Sequence, residues 1–186
     1  MKGFNRDNLL FSLCGLNCGL CPMRLDNYCP GCGGGDGNQA CSIARCSLQH
    51  NGIAYCFQCE EFPCEKYDGI DEYDSFITHQ NQKNDLKKAT EIGIDAYNDE
   101  QLEKVEILQY LLSNYNDGRR KTFFCVAVNL LGLEELKGII RQTDEKPELN
   151  FLPLKERSAY VAGLFQNVAK QHDIELKLHK KPGKKN

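Results

Sequence analysis

The chain of 186 residues is short of the groups on which most enzymes and membrane proteins rest. It has four histidines, which leaves little room for general-base catalysis. No Ser-His-Asp set, helical His-Glu-x-x-His or carboxylate pair stands out. No run approaches the ~20 apolar residues of a membrane helix. The opening MKGFNRDNLLFSLCG has an apolar stretch from Leu9 to Leu13 that Ser12 interrupts, follows Asp7 and lacks a small-residue cleavage site, so export is not expected. Leu13, before Cys14, also argues against a lipoprotein signal. The expected compartment is the cytoplasm, where thiols stay reduced. An excess of basic charge is missing as well. The net charge is −3, Glu60, Glu61, Glu65, Asp68, Asp71, Glu72 and Asp74 crowd one stretch, and no Lys/Arg stripe runs through the cysteines, so nucleic acid is an unlikely partner.

What the chain has is cysteine. Ten of its eleven fall between residues 14 and 64: Cys14, Cys18, Cys21, Cys29, Cys32, Cys41, Cys46, Cys56, Cys59 and Cys64. Cys18/Cys21, Cys29/Cys32 and Cys56/Cys59 each enclose two residues, a gap at which a tight turn brings both sulfurs to one face. In a reducing compartment such spacing means metal, with disulfides as the weaker reading. A segment this small seldom builds a core worth more than ~3–5 kcal/mol, whereas each structural zinc supplies about 10–16 kcal/mol of apparent binding energy. The metal is therefore expected to take the place of a core.

Cys29-Pro30-Gly31-Cys32-Gly33 is a knuckle in which Pro pre-sets the first turn position, Gly31 takes a positive φ, and the last glycine lets backbone amides approach the sulfurs. Zinc and rubredoxin-type iron both use that geometry. Gly33, Gly34, Gly35 and Gly37 then read as a flexible loop to Cys41, with a phosphate loop disfavoured because no Lys-Ser/Thr follows. Cys14-x3-Cys18-x2-Cys21 has the spacing that radical SAM enzymes use for an iron–sulfur cluster, but the chain is too short for the barrel that follows in those enzymes. Ten thiols do not divide into fours. Two four-thiolate sites leave two sulfurs over, and three sites need outside ligands, for which His50, on the helical face of Cys46, and His79 are the candidates.

The succession Cys14-Gly-Leu-x-Cys18-x-x-Cys21-Pro22, Cys29-x-Gly-Cys32, Cys41…Cys46 and Cys56-x-x-Cys59-Glu-x-Phe-Pro-Cys64 resembles the uncharacterised prokaryotic cysteine-rich family catalogued as domain of unknown function 3795. Tyr115-Asn-Asp-Gly-Arg-Arg-Lys121 and Ile174-x-Leu-x-Leu178 are similar to it too. The resemblance implies a cysteine-rich, metal-binding protein and carries over no reaction and no catalytic residue.

After the acidic stretch the pattern becomes helical. Leu86 to Ile94 predicts a short helix, and Asn98-Asp-Glu-Gln101 resembles a capping box for a second, with Leu102, Val105, Leu108, Leu112 and Tyr115 as its buried stripe. Phe123 to Leu131 predicts a buried helix with Cys125 as a core residue, and Leu133 to Ile140 another helix. Pro153 opens the last, whose stripe is Val161, Leu164, Phe165 and Val168. Ile174, Leu176 and Leu178 alternate like a strand, which would find its partner in the metal domain. Arg119-Arg120-Lys121 and the Lys-rich end read as solvated.

The expected fold is thus α+β: a small irregular, metal-stapled, cysteine-rich domain (1–66), an acidic connector (67–83), a mainly α-helical half ending in a short strand (84–178), and a basic tail (179–186). The expected function is metal binding through the ten clustered cysteines, with His50 as a further candidate ligand. Two or three zinc ions would serve mainly as structural staples of a protein-interaction module. The alternative is an iron–sulfur redox protein or enzyme using the Cys14-Cys18-Cys21 run. Zinc-thiolate alkyl chemistry is a third reading that no residue selects. A thioredoxin-like role is disfavoured because none of the knuckles joins a strand to a helix.

Overall fold

A computed structural model describes residues 3–35 and 41–183. Residues 36–40 of the expected glycine loop and 184–186 of the expected basic tail lie outside the described residues. The helices are α1 (Pro22–Leu25), α2 (Ser42–Gln49), α3 (Gln82–Ile92), α4 (Ile94–Tyr115), α5 (Lys121–Leu130), α6 (Leu133–Asp144) and α7 (Leu154–Gln171), joined by short 3-10 turns at Cys18–Leu20, Cys56–Gln58, Glu65–Tyr67 and Pro147–Phe151. Two compact units are formed: Met1–Gln101 together with Leu178–Asn186, and Leu102–Lys177, the division falling within α4.

The expected α+β class is wrong, because no strand occurs among the described residues. The alternation that suggested one is real: Ile174, Leu176 and Leu178 are half-buried while Glu175 and Lys177 are exposed. Period-2 burial needs only a segment with one side covered, whereas a strand needs a neighbour for its backbone groups. Here the Ile174 amide is spent on the end of α7, donating to the Ala169 carbonyl at 2.9 Å. His179 instead exchanges bonds with Asp74. Its N–H donates to Asp74 Oδ2 at 2.7 Å and its carbonyl accepts from the Asp74 amide at 2.7 Å. No ladder can grow from one such exchange.

The first unit has a hydrophobic core of its own. Phe4, Phe11, Leu13, Ile43, Ala44, Tyr55, Cys56 and Tyr67 form one cluster with Leu86 and Ala89 of α3 and Tyr97 of α4. Phe11 packs on Tyr97 at 4.6 Å and on Tyr55 at 5.6 Å, and Tyr55 stacks on Phe57 at 5.4 Å between ring centroids. Residues 14–64 alone are poor in apolar groups; the aromatic residues before them and the helices after them supply the rest. The first unit therefore has an apolar core besides its cysteines, which the sequence expectation of a metal in place of a core did not include.

Helix α4 begins four residues before the expected capping box. Gly93, at φ 86°, breaks the chain after α3, and the helix restarts at once. Asn98 therefore lies inside the helix, where its Oδ1 accepts from Asn8 Nδ2 at 2.8 Å. The buried side chains of α4 are Tyr97, Gln101, Lys104, Leu108, Leu111 and Tyr115, whereas Leu102 is 47% exposed. Two polar residues hold stripe positions that a hydrophobic pattern assigns elsewhere. Lys104 Nζ donates to the Leu131 carbonyl at 2.8 Å, placing a cation at the carbonyl end of α5.

In the second unit α5 is buried from Phe124 through Leu130, Cys125 and the polar Asn129 included, as its almost wholly apolar run predicted. Phe124 meets Phe165 of α7 edge to face at 5.8 Å. Helix α6 opens with the Gly132 amide donating to Glu135 Oε2 at 2.7 Å and packs against α7. The Arg120 guanidinium lies 5.8 Å from the centre of the Phe123 ring.

Two stability measurements check this packing. Gly15 sits at φ 95° with a Cβ position 2.6 Å from both the Gln82 carbonyl oxygen and Leu86 Cγ, while Gly52, at φ 69°, has nothing within 4 Å. In urea melts Gly15→Ala should lose about 1–3 kcal/mol more than Gly52→Ala, the added loss being overpacking on top of shared backbone strain; equal losses would contradict the contact. Leu108→Ala should cost roughly 2–5 kcal/mol and Leu102→Ala no more than about 0.5 kcal/mol. A loss at Leu102 as large as that at Leu108 would restore the stripe read from the sequence, which holds both residues.

Candidate functional site

The cysteines are set by a backbone that is heavily hydrogen-bonded locally. The Ser12 hydroxyl, in a nearly buried residue, accepts the Leu16 amide at 2.7 Å and lies 3.3 Å from Cys14 Sγ, while the Ser12 amide donates to the Leu16 carbonyl at 2.8 Å. The Cys14 carbonyl accepts from Gln82 Nε2 at 2.9 Å and from the Tyr67 hydroxyl at 3.2 Å. Asn17, also buried, donates to Asp85 Oδ2 at 2.9 Å and accepts from the Tyr97 hydroxyl at 3.0 Å. Helix α3 and the start of α4 therefore fix the loop between Cys14 and Cys18.

The second knuckle takes the shape its sequence predicts. Gly31 and Gly33 adopt φ of 94° and 85°, and the Gly34 amide closes on the Gly31 carbonyl at 3.1 Å. Arg24 Nη1 donates to the Pro30 carbonyl. Arg6 reaches across the same region, donating to the carbonyls of Phe11 at 2.8 Å, Ala54 at 3.1 Å and Asn8 at 3.2 Å, with its guanidinium carbon 4.8 Å from the centre of the Tyr55 ring. It also donates to Cys32 and favours its thiolate.

All eleven cysteines are free thiols. Burial is the main influence on those that shift, pushing Cys14 up to about 11, Cys18 to about 12 and Cys56 to about 12, and raising Cys21 and Cys32 as well. Crowding adds to it. Cys14 is raised further by the thiolates of Cys32 and Cys41, Cys18 by those of Cys14, Cys32 and Cys21, and Cys56 by those of Cys14, Cys64 and Cys46. Backbone amides work in the opposite direction. The N–H of Leu16 is aimed at Cys14, that of Cys32 at Cys18, those of Met23 and Arg24 at Cys21, and that of Leu13 at Cys32. These are the donors a metal-bound thiolate uses, and the Tyr67 hydroxyl does the same for Cys56.

Around the last four cysteines the side chains enclose a cavity. Cys46, His50, Cys56, Cys59 and Cys64 line it, with Ile43, Ile53, Phe62 and Tyr67 among its apolar wall, and its volume is about 20 Å³. His50 Nδ1 stands 3.6 Å from Cys59 Sγ. His79, the other histidine considered as a ligand, is engaged elsewhere: Nδ1 with the Ile70 carbonyl at 3.1 Å and Nε2 with the Ser75 hydroxyl at 3.0 Å. The donor chemistry suits a soft divalent cation, but the coordination sphere is not closed. Among the described residues no group of three or more Cys, His, Asp or Glu side chains is arranged to hold a metal ion.

Sequence reasoning did not find Arg6, Ser12, Asn17, Tyr67 and Gln82 as supports of the site. Asn17 had a weak signal, since a polar side chain inside a cysteine loop either caps locally or reaches a partner. Arg6, Tyr67 and Gln82 act through contacts with distant residues and left no spacing to read, whereas Ser12 acts locally, on Cys14 and Leu16.

No curated protein and no solved structure matches the chain. Residues 10–69, which hold the ten clustered cysteines and stop short of the later segments compared above, match the family model described as Protein of unknown function (DUF3795), the family that their spacing resembles.

Proposed function

We propose that the cysteine-rich stretch is a metal-binding module that takes two or three zinc ions as thiolate complexes. The observation that carries this reading is the opposition at the sulfurs. Burial and mutual repulsion disfavour each thiolate, yet backbone amides are directed at Cys14, Cys18, Cys21 and Cys32 as if the charged form were to be held. A divalent cation resolves that opposition, since it replaces the protons and neutralises the crowd. The ligands are drawn from Cys14, Cys18, Cys21, Cys29, Cys32, Cys41, Cys46, Cys56, Cys59, Cys64 and His50. Zinc fully ligated by protein side chains has no open position and no redox chemistry, so its contribution is to hold shape.

The iron–sulfur reading keeps one observation of its own, the mutual crowding of Cys14, Cys18 and Cys21. A protein partner completes the proposed role. Apolar side chains left exposed on the second unit, Phe151 at 88% with Leu152 and Leu154 beside it in sequence, are what such a partner would cover.

Element-resolved metal content of protein purified without oxygen tests the proposal: two or three zincs per chain and no visible absorbance are expected, and iron with matching sulfide would replace this reading with the redox one. Chelation should lower the melting point of the first unit and leave most of the helical signal of the second; a chelator that changes nothing would refute a structural metal. Cys29→Ser should destabilise the zinc-loaded protein by more than Cys125→Ser, whose buried hydroxyl costs about 1–3 kcal/mol, and equal losses would remove the distinction between ligand and core thiols.

A further inference from the structure

Accepting that zinc-binding reading, we infer that the cavity beneath α2 is a site for a single ion with three sulfur ligands and one nitrogen: Cys46, His50, Cys59 and Cys64. Two independent features of the cavity lead there. The first is a distance. Ligands about 2.3 Å (sulfur) and about 2.05 Å (imidazole nitrogen) from a zinc ion, at a tetrahedral angle, stand about 3.6 Å from each other. His50 Nδ1 and Cys59 Sγ are 3.6 Å apart, the length of one edge of that tetrahedron. The pair is within hydrogen-bond reach for a sulfur, and the same spacing suits two ligands of one ion.

The second feature is space. The cavity holds about 20 Å³ and is lined by all five donor residues of this region. That volume admits one water-sized particle, so it suits one ion and not a cluster of several irons.

Helix α2 explains why His50 belongs to the set. Cys46 and His50 are four residues apart, at the end of the helix and at its C-terminal cap, and so project from one face. Cys59 completes its own turn through its amide bond to the Cys56 carbonyl at 3.0 Å, and Cys64 comes to the same wall after Phe62. Cys56 is the surplus thiol. It is the buried member of the group, at 8% exposure, while Cys46, Cys59 and Cys64 are partly exposed. Five donors thus meet an ion that takes four, and the assignment leaves Cys56 on the wall as a supporting thiol. Closure requires the donors to rearrange around the ion, since no three of them are arranged to hold one among the described residues.

X-ray absorption at the zinc edge of the full-length, zinc-loaded chain tests the assignment without any substitution. A nitrogen shell near 2.0 Å beside the sulfur shell near 2.3 Å is expected, and a shell of sulfur alone would overturn the site while leaving thiolate zinc binding intact. Absence of zinc would overturn the underlying reading instead. In variants that keep the wild-type circular dichroism, His50→Gln should remove the nitrogen shell and lower the zinc content by one ion, and His79→Gln, whose ring is engaged by Ser75 and Ile70, should change neither. Retention of the nitrogen shell and of every ion in His50→Gln would overturn the choice of ligands.

Discussion

Thiol crowding is the constraint on which the first unit depends. Ten sulfurs are gathered in it, and burial first and neighbouring thiolates next push Cys14 up to about 11 and Cys18 and Cys56 to about 12. A fold can tolerate such crowding in three ways: it can keep the groups protonated, oxidise them in pairs, or bind a cation. The amides aimed at four of the sulfurs are of no use to a protonated thiol and of full use to a ligated thiolate.

Holding the sulfurs in that arrangement falls to residues that carry no metal-binding chemistry. Gly15 is pressed against Gln82 and Leu86, the Cys14 carbonyl is fixed by Gln82 and Tyr67, and Asn17 is locked between Asp85 and Tyr97. Each of these partners lies beyond Cys64. The cysteine stretch is therefore completed by α3 and the first turns of α4, and the shared aromatic core of Phe11, Tyr55 and Tyr97 gives both the same support. A loop positioned by buried polar bonds keeps one geometry, because any shift leaves a buried donor or acceptor unmatched.

What the sequence disclosed follows from the range of the forces involved. The Cys29-Pro-Gly-Cys32 turn was legible because proline and glycine act on their own backbone, and α5 was legible because the run from Phe124 to Leu130 carries a single polar residue, Asn129, and so has almost no polar side to expose. The stripe of α4 was misread where Lys104 and Gln101 take buried positions, since a pattern of hydrophobic residues cannot register a lysine whose ammonium meets the Leu131 carbonyl. Ile174 to Leu178 failed as a strand for a related reason: alternate burial is a local property, and a ladder is a property of two segments. In the candidate site the cysteines and His50 could be named from spacing. Arg6, Tyr67 and Gln82 could not, because their roles exist only through distant contacts.

The environment of the sulfurs also limits what chemistry they can perform unaided. A nucleophilic or redox-active cysteine needs its thiolate at neutral pH, and is usually partly exposed beside a cation or a helix N-terminus. Cys14, Cys18 and Cys56 are in the opposite situation, with pKa values raised by burial first and by neighbouring thiolates next. Cys32 alone has a fixed cation, Arg6, and even there burial outweighs it. Without a bound cation, then, these groups are protonated and slow toward electrophiles and disulfides. With one, the same sulfurs become thiolates whose charge is already committed to the metal. Neither nucleophilic nor disulfide chemistry is favoured while Cys14, Cys18 and Cys56 stay buried thiols.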